Sequence, residues 1–128
     1  MPRLLSALGA LSLFLSILLG AVGAHAVPEA THEQLIRPAV HYHQLMSVIL
    51  LFVPLMNHTG FLGRRPLLIS WAVLALGMLL FTGSLYIRGF LAPDFLPMIA
   101  PIGGTCMMLG CIILGLSLLL HPRSSQRE

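Results

Sequence analysis

Four long apolar runs dominate this chain, each about as long as the roughly 20 helical residues needed to cross a hydrocarbon core of about 30 Å. They cover residues 4–24, 39–57, 66–87 and 98–120, and the connections between them are short. Of the 128 residues, 57% are hydrophobic and 9% are charged, whereas soluble domains carry about 25% charged residues. So apolar a chain cannot clothe a water-facing surface. The expectation is an all-α, integral membrane four-helix bundle forming one domain over residues 1–128, in a multi-pass arrangement within a bacterial inner membrane.

Charge sets the orientation. All seven basic residues are arginine. Arg3, Arg64, Arg65, Arg123 and Arg127 fall on one side of the four spans, and Arg37 and Arg88 on the other. The positive-inside rule then puts both termini in the cytoplasm. No basic stretch exceeds the pair Arg64-Arg65, so the net charge is a topology signal and nucleic acid is not an expected partner. The first span also resembles a secretory leader, with Arg3 ahead of it and Ala24-His25-Ala26 as a small-x-small site. Its apolar run is longer than the usual leader core of about 7–15 residues, so an uncleaved first helix is expected.

Small residues mark packing faces. Ser12, Ser16, Gly20 and Ala24 recur every fourth position in the first span. Gly103, Cys106, Gly110 and Ser117 fall on one face of the fourth, and Gly104 adjoins it. Such stripes let helices approach closely in lipid, where packing and interhelical hydrogen bonds drive association. Cys106 and Cys111 are five residues apart, about 140° around a helix, so they neither bridge nor form a zinc signature. The connector 27–38 carries a weak capping pattern at Thr31 and Gln34 and reads as a short interfacial helix. Pro38 suits the first turn of the second span, and Pro54 is expected to bend or end it. Trp71 and Tyr86 sit near opposite ends of the third span, as an aromatic belt places them.

Several segments together resemble a known family. Gly20 to Ala26 is similar to a glycine-alanine-histidine ending of helix one. Tyr42-His43-Gln-Leu-Met is similar to the family's start of helix two, Phe81-Thr-Gly-Ser-Leu-Tyr86 to its end of helix three, and Pro101-Ile-Gly-Gly104 to its start of helix four. The family is domain of unknown function 423, which includes YgdD-like bacterial proteins and the eukaryotic transmembrane protein 256. Gln44, Thr82 and Gly110-Cys111 depart from its usual residues. The resemblance implies a four-helix bundle and no particular activity.

Topology and motifs place His25, His43, Ser84 and Tyr86 at one membrane level, as an outer-face polar cluster. Unpaired polar groups are costly in lipid, so the cluster reads first as a clamp in which His25 pairs with Tyr86 or Ser84. His25 and His43 are also candidate metal or haem ligands, histidine being the commonest metal ligand; no cofactor is predicted outright. A small oligomeric channel or transporter is a further alternative, although no Asp, Glu or Arg lies deep in a span. The chain carries no nucleophile elbow, no H-E-x-x-H helix and no carboxylate pair, so it is not expected to be an enzyme. The favoured reading is a non-catalytic helix-packing or accessory subunit. Its partners are the lipid bilayer and other membrane helices, in a homo-oligomer or a larger complex.

Overall fold

The structure is a computed structural model and describes residues 1–121. Arg123 and Arg127, and with them most of the polar tail, lie outside the described residues. Four long helices make up the fold: α1 (Pro2–Ala26), α2 (Glu29–Asn57), α3 (Arg64–Phe90) and α4 (Ile99–Leu120). All four are long and apolar enough to cross a membrane. The helix α1 packs chiefly on α2, α2 on α3, and α3 on α4. Met1 and Pro2 lie beside Asn57 and Arg64, and Gly63 lies beside His121. The chain start, the middle turn and the end of α4 therefore share one end of the bundle.

Near that end, Val53, Leu62 and Leu67 form a buried cluster with Leu5, Ile49, Leu114 and Leu118 packed around it, so all four helices meet there. A central cluster joins Met46 and Leu50 of α2, Leu74 and Met78 of α3, and Met107 of α4. A smaller one, Ala39, Leu85 and Ala100, holds the opposite end. The outward faces of α1 and α4 remain apolar and uncovered, as they would for a lipid solvent.

The connector departs from the sequence expectation. It is not a separate interfacial helix: α2 begins at Glu29, about ten residues early, and runs on through a π turn at His32–Ile36. Thr31 is already helical and makes no capping hydrogen bond. The cause is Pro38. An α-helix carried through it would drive the pyrrolidine ring against the carbonyl of Gln34. The wider turn, in which the Arg37 N–H reaches the His32 carbonyl five residues back, loosens the backbone just ahead of the ring.

Pro54 acts at the other end of α2, where the helix tightens to a 3₁₀ turn at Val53–Asn57. The N–H that Pro54 lacks is the one that would serve the Leu50 carbonyl. Trp71 replaces it, its indole N–H donating to Leu50 O at 3.0 Å. The aromatic-belt reading of Trp71 misses this role. An orphan carbonyl inside a bilayer has no water to turn to, so the indole completes a backbone ladder that proline breaks.

Glycines set the α3–α4 approach. A Cβ on Gly77 would lie 2.6 Å from the Met107 backbone nitrogen, and one on Gly103 would overlap the Phe81 backbone. The helices touch through their main chains here, and Cys106 donates its thiol hydrogen to the Val73 carbonyl at 3.4 Å. Gly110 faces Leu74 in the same seam, whereas Gly104 has only ordinary contact with the Phe81 ring.

On α1 the packing face is not the one read from fourth-position spacing. Ser6, Gly9, Ser16 and Gly23 are buried, while Ala24 is exposed. At 100° per residue, a strict fourfold repeat drifts about 40° each turn, and by Ala24 it has left the interface that Ser12 occupies. The heptad Gly9, Ser16 and Gly23 drifts only about 20° per step. Gly9 accordingly meets the Leu50–Leu51 backbone, and Gly23 meets Ile36.

Candidate functional site

Four polar side chains of the bundle interior are strung into one chain across three helices. Ser12 of α1 stands at its centre. Its Oγ is 3.0 Å from His43 Nε2 and 2.7 Å from Ser47 Oγ. The other ring nitrogen, His43 Nδ1, is 3.0 Å from the Tyr86 hydroxyl of α3. Met78 closes the deep end, its sulfur 3.8 Å from Ser12 Oγ and 3.9 Å from Ser47 Oγ, where it can accept the hydrogen that the Ser12–Ser47 bond leaves over.

Local helix geometry explains the assembly. His43 and Ser47 are four residues apart and so share one face of α2. Both are buried, and so is Met78. Ser12 lies where α1 crosses that face, because Gly9 on the turn before it lets the α1 backbone approach α2. Tyr86 is one turn from the end of α3, and its ring packs edge-on to His43 and against Phe90. The chain therefore runs from near the end of α3 down to mid-span, deeper than one interfacial level.

A neutral imidazole donates from one ring nitrogen and accepts at the other, and a hydroxyl can play either part. Every member of Tyr86–His43–Ser12–Ser47 thus finds a partner with a single consistent direction of donation. Such a chain fixes the rotation of α1 against α2 and of α2 against α3, since turning any helix breaks a bond that lipid cannot replace.

The structure brings His43 and Tyr86 together and leaves the other two cluster residues apart from them. Ser84 is buried but turns its hydroxyl back to the Phe81 carbonyl at 2.8 Å. His25 is exposed at the end of α1. Gly23 faces Ile36, seven residues or about 10 Å of helix rise from His43. His25 therefore pairs with neither Tyr86 nor Ser84, and the two candidate ligand histidines do not face one another. Both His43 ring nitrogens already meet hydroxyls, so ligating a metal or haem there would cost one of these bonds. Among the described residues, no group of three His, Cys, Asp or Glu side chains is placed to hold a metal ion.

Two members carry no motif that marks them as polar partners: the fourth-position stripe presents Ser12 as a packing residue, and nothing singles out Ser47. A hydroxyl in the middle of an apolar span was the available signal, because in lipid it must find a partner. Other hydroxyls satisfy themselves locally: Ser16, Thr82, Thr105 and Ser117 each bond a carbonyl three or four residues back.

Four helices long and apolar enough to span a membrane, with an internal polar chain and, among the described residues, no large part outside the spans, define a small multi-pass membrane protein. Residues 19–104 match the profile of a family described as "Protein of unknown function (DUF423)", and the chain belongs to that family. The matched stretch contains His43, Ser47, Met78 and Tyr86, but not Ser12. The chain is 36% identical over 108 residues to a UPF0382 membrane protein of Haemophilus influenzae, covering 82% of this chain and 85% of that one. It is 30% identical over 120 residues to a UPF0382 membrane protein of Staphylococcus haemolyticus, covering 90% and 94%. No solved structure matches.

Proposed function

We propose that this protein is a non-catalytic accessory subunit of the bacterial inner membrane, working by lateral helix packing with both termini in the cytoplasm. One observation carries the reading. Leu4, Leu8, Leu11, Leu15, Leu18 and Val22 are all exposed on α1, at alternating spacings of four and three residues. That is the heptad seam by which one helix offers knobs to another. The small-residue face of α1 is spent inside the bundle, against α2, so the leucine seam is the surface left for a partner helix. The polar chain supports the same reading, because it holds α1 in the rotation that points this seam outward. In this role the protein needs neither metal nor haem. The orientation rests on Arg3, Arg64 and Arg65 at the end that holds the middle turn, against Arg37 and Arg88 at the other.

Native mass spectrometry of the protein, gently released from its own membrane, tests the proposal. The expected mass is that of the chain plus a second, different polypeptide. The joint substitution Leu11→Ala, Leu15→Ala and Leu18→Ala should release that polypeptide while the protein still inserts. A bare chain, or a homo-oligomer indifferent to the leucine substitutions, would refute it. Reporter fusions at Gly60 and Asp94 check the orientation: Gly60 should report cytoplasm and Asp94 the opposite side.

A further inference from the structure

A second polar feature lies outside the buried chain, on the membrane-facing side of α2. Arg37, His41 and Gln44 succeed one another at spacings of four and three residues, and so share a helix face. They line a cavity of about 400 Å³ whose other wall is Gly20 and Ala24 of α1, with His32 at its rim. Cavities of this size hold small ligands. Arg37 bonds Glu33 at 2.7 Å, but a guanidinium has five N–H donors and keeps others free. Among the described residues, no side-chain hydrogen bond reaches His41 or Gln44.

The depth of these groups is informative. Gly20 faces Val40, so the cavity descends well past the end of α1. Gln44 lies seven residues, about 10 Å of helix rise, below Arg37. The headgroup zone of one leaflet is about 5–8 Å deep. With the Arg37 guanidinium at the headgroup level, where a charged side chain at a span end belongs, Gln44 falls beneath it, where an unpaired amide is costly. What fills the cavity must be anionic at the top, must accept hydrogen bonds at the amide level, and must be apolar below.

We propose that the groove between α1 and α2 is a glycerophospholipid site, with the phosphodiester held by Arg37 and His41 beside Ala24 and Gly20, and an ester carbonyl accepting from the Gln44 amide below them. Charge complementarity and the matched depths of phosphate and ester select a phospholipid over a polar partner helix. The small α1 residues leave width for the phosphoglycerol, and the glycerol backbone spans the three-residue step from His41 to Gln44, about 4.5 Å of helix rise. Arg–phosphate contact is a charge-assisted hydrogen bond, about twice as strong as a neutral one.

The test uses the full-length protein in nanodiscs of phosphatidylethanolamine and phosphatidylglycerol, released into mild detergent and weighed by native mass spectrometry. The wild type is expected to keep one phospholipid per chain. Arg37→Ala and Gln44→Leu should each cut the retained fraction about tenfold, the effect of losing one strong polar contact. Ala24→Leu, which fills the groove from an exposed position without removing a polar group, should do the same. Gly83→Ala, remote from the groove, should leave retention unchanged. Helical circular dichroism and monodisperse elution establish that each variant is folded. Three results overturn the proposal: retention equal in all variants, displacement of the bound mass by millimolar inorganic phosphate, or a bound polypeptide in place of lipid.

Discussion

The pairing of Trp71 with the carbonyl that Pro54 leaves without a partner makes a quantitative prediction. Trp71→Phe keeps most of the aromatic bulk and removes only the N–H that donates to Leu50 O at 3.0 Å. An orphaned buried carbonyl costs about 1–3 kcal/mol, while interhelical hydrogen bonds in membrane proteins average about 0.6 and reach about 1.7 kcal/mol. The structure places this bond at the upper end, because no neighbouring backbone donor is free: the residue four on is a proline, and the Val53 N–H is committed to Ile49 O. The expected loss is about 1–2 kcal/mol. Pro54→Ala restores an N–H at the position that serves Leu50 O, so the same Trp71→Phe change should then cost less than half as much. The assay is reversible unfolding in mixed dodecyl sulfate and maltoside micelles, run as a double-mutant cycle. An equal cost of Trp71→Phe in both backgrounds would refute the reasoning, and would leave Trp71 as a packing or belt residue.

Other sites carry predictions of the same kind. Gly77→Ala and Gly103→Ala force a methyl into the facing backbone and should each destabilise by about 1–3 kcal/mol. Gly83→Ala and Gly115→Ala meet open space and should be neutral or slightly stabilising, as the same unfolding assay would show. Tyr86→Phe strips one partner from His43 and should cost about 1 kcal/mol, and adding His43→Leu should return part of that loss, because removing both members of a pair is milder than removing one. Cys106→Ala removes the thiol that donates to Val73 O and should cost about 1 kcal/mol, whereas Cys111→Ala, on the outward face, should be neutral; equal costs would contradict the α3–α4 seam.

How much of this was legible in the chain depends on the kind of interaction. Span number and approximate limits were legible, because lipid tolerates only long apolar helices and hydropathy records them directly. Gly103 and Gly110 of α4 were legible as a packing face, since position along one helix fixes which side a residue occupies. The partners were not. His43 was recognised as a polar residue needing company, but pairing it with Ser12 requires the rotation and depth of α1 relative to α2. Those follow from where Gly9 meets Leu50 and Leu51, a contact between residues some forty positions apart. His25 failed as a member for the same reason: being at the end of one helix and near the start of the next says nothing of facing. The drift of a fourfold repeat, by contrast, is arithmetic that the sequence already contains, and it places Gly23, not Ala24, on the α1 interface.

The bundle is held in two distinct ways, and the difference bears on how its helices are used. The α3–α4 pair is joined by main-chain contact through Gly77 and Gly103, an interface with no spare space and hence little freedom to slide. The helix α1 also meets main chain, at Gly9 against Leu50 and Leu51, but it adds side-chain hydrogen bonds: Ser12 sits on the face formed by His43 and Ser47. Removing α1 would leave the His43 Nε2 and the Ser47 hydroxyl facing hydrocarbon, so α2 and α3 are built to have it in place. Ser12→Ala separates the two ties: it should loosen the orientation of α1, read as broadened spin-label distances from α1 to α3, while distances between α3 and α4 stay sharp. Equal broadening in both pairs would mean that the serine supports the whole bundle and not the setting of α1.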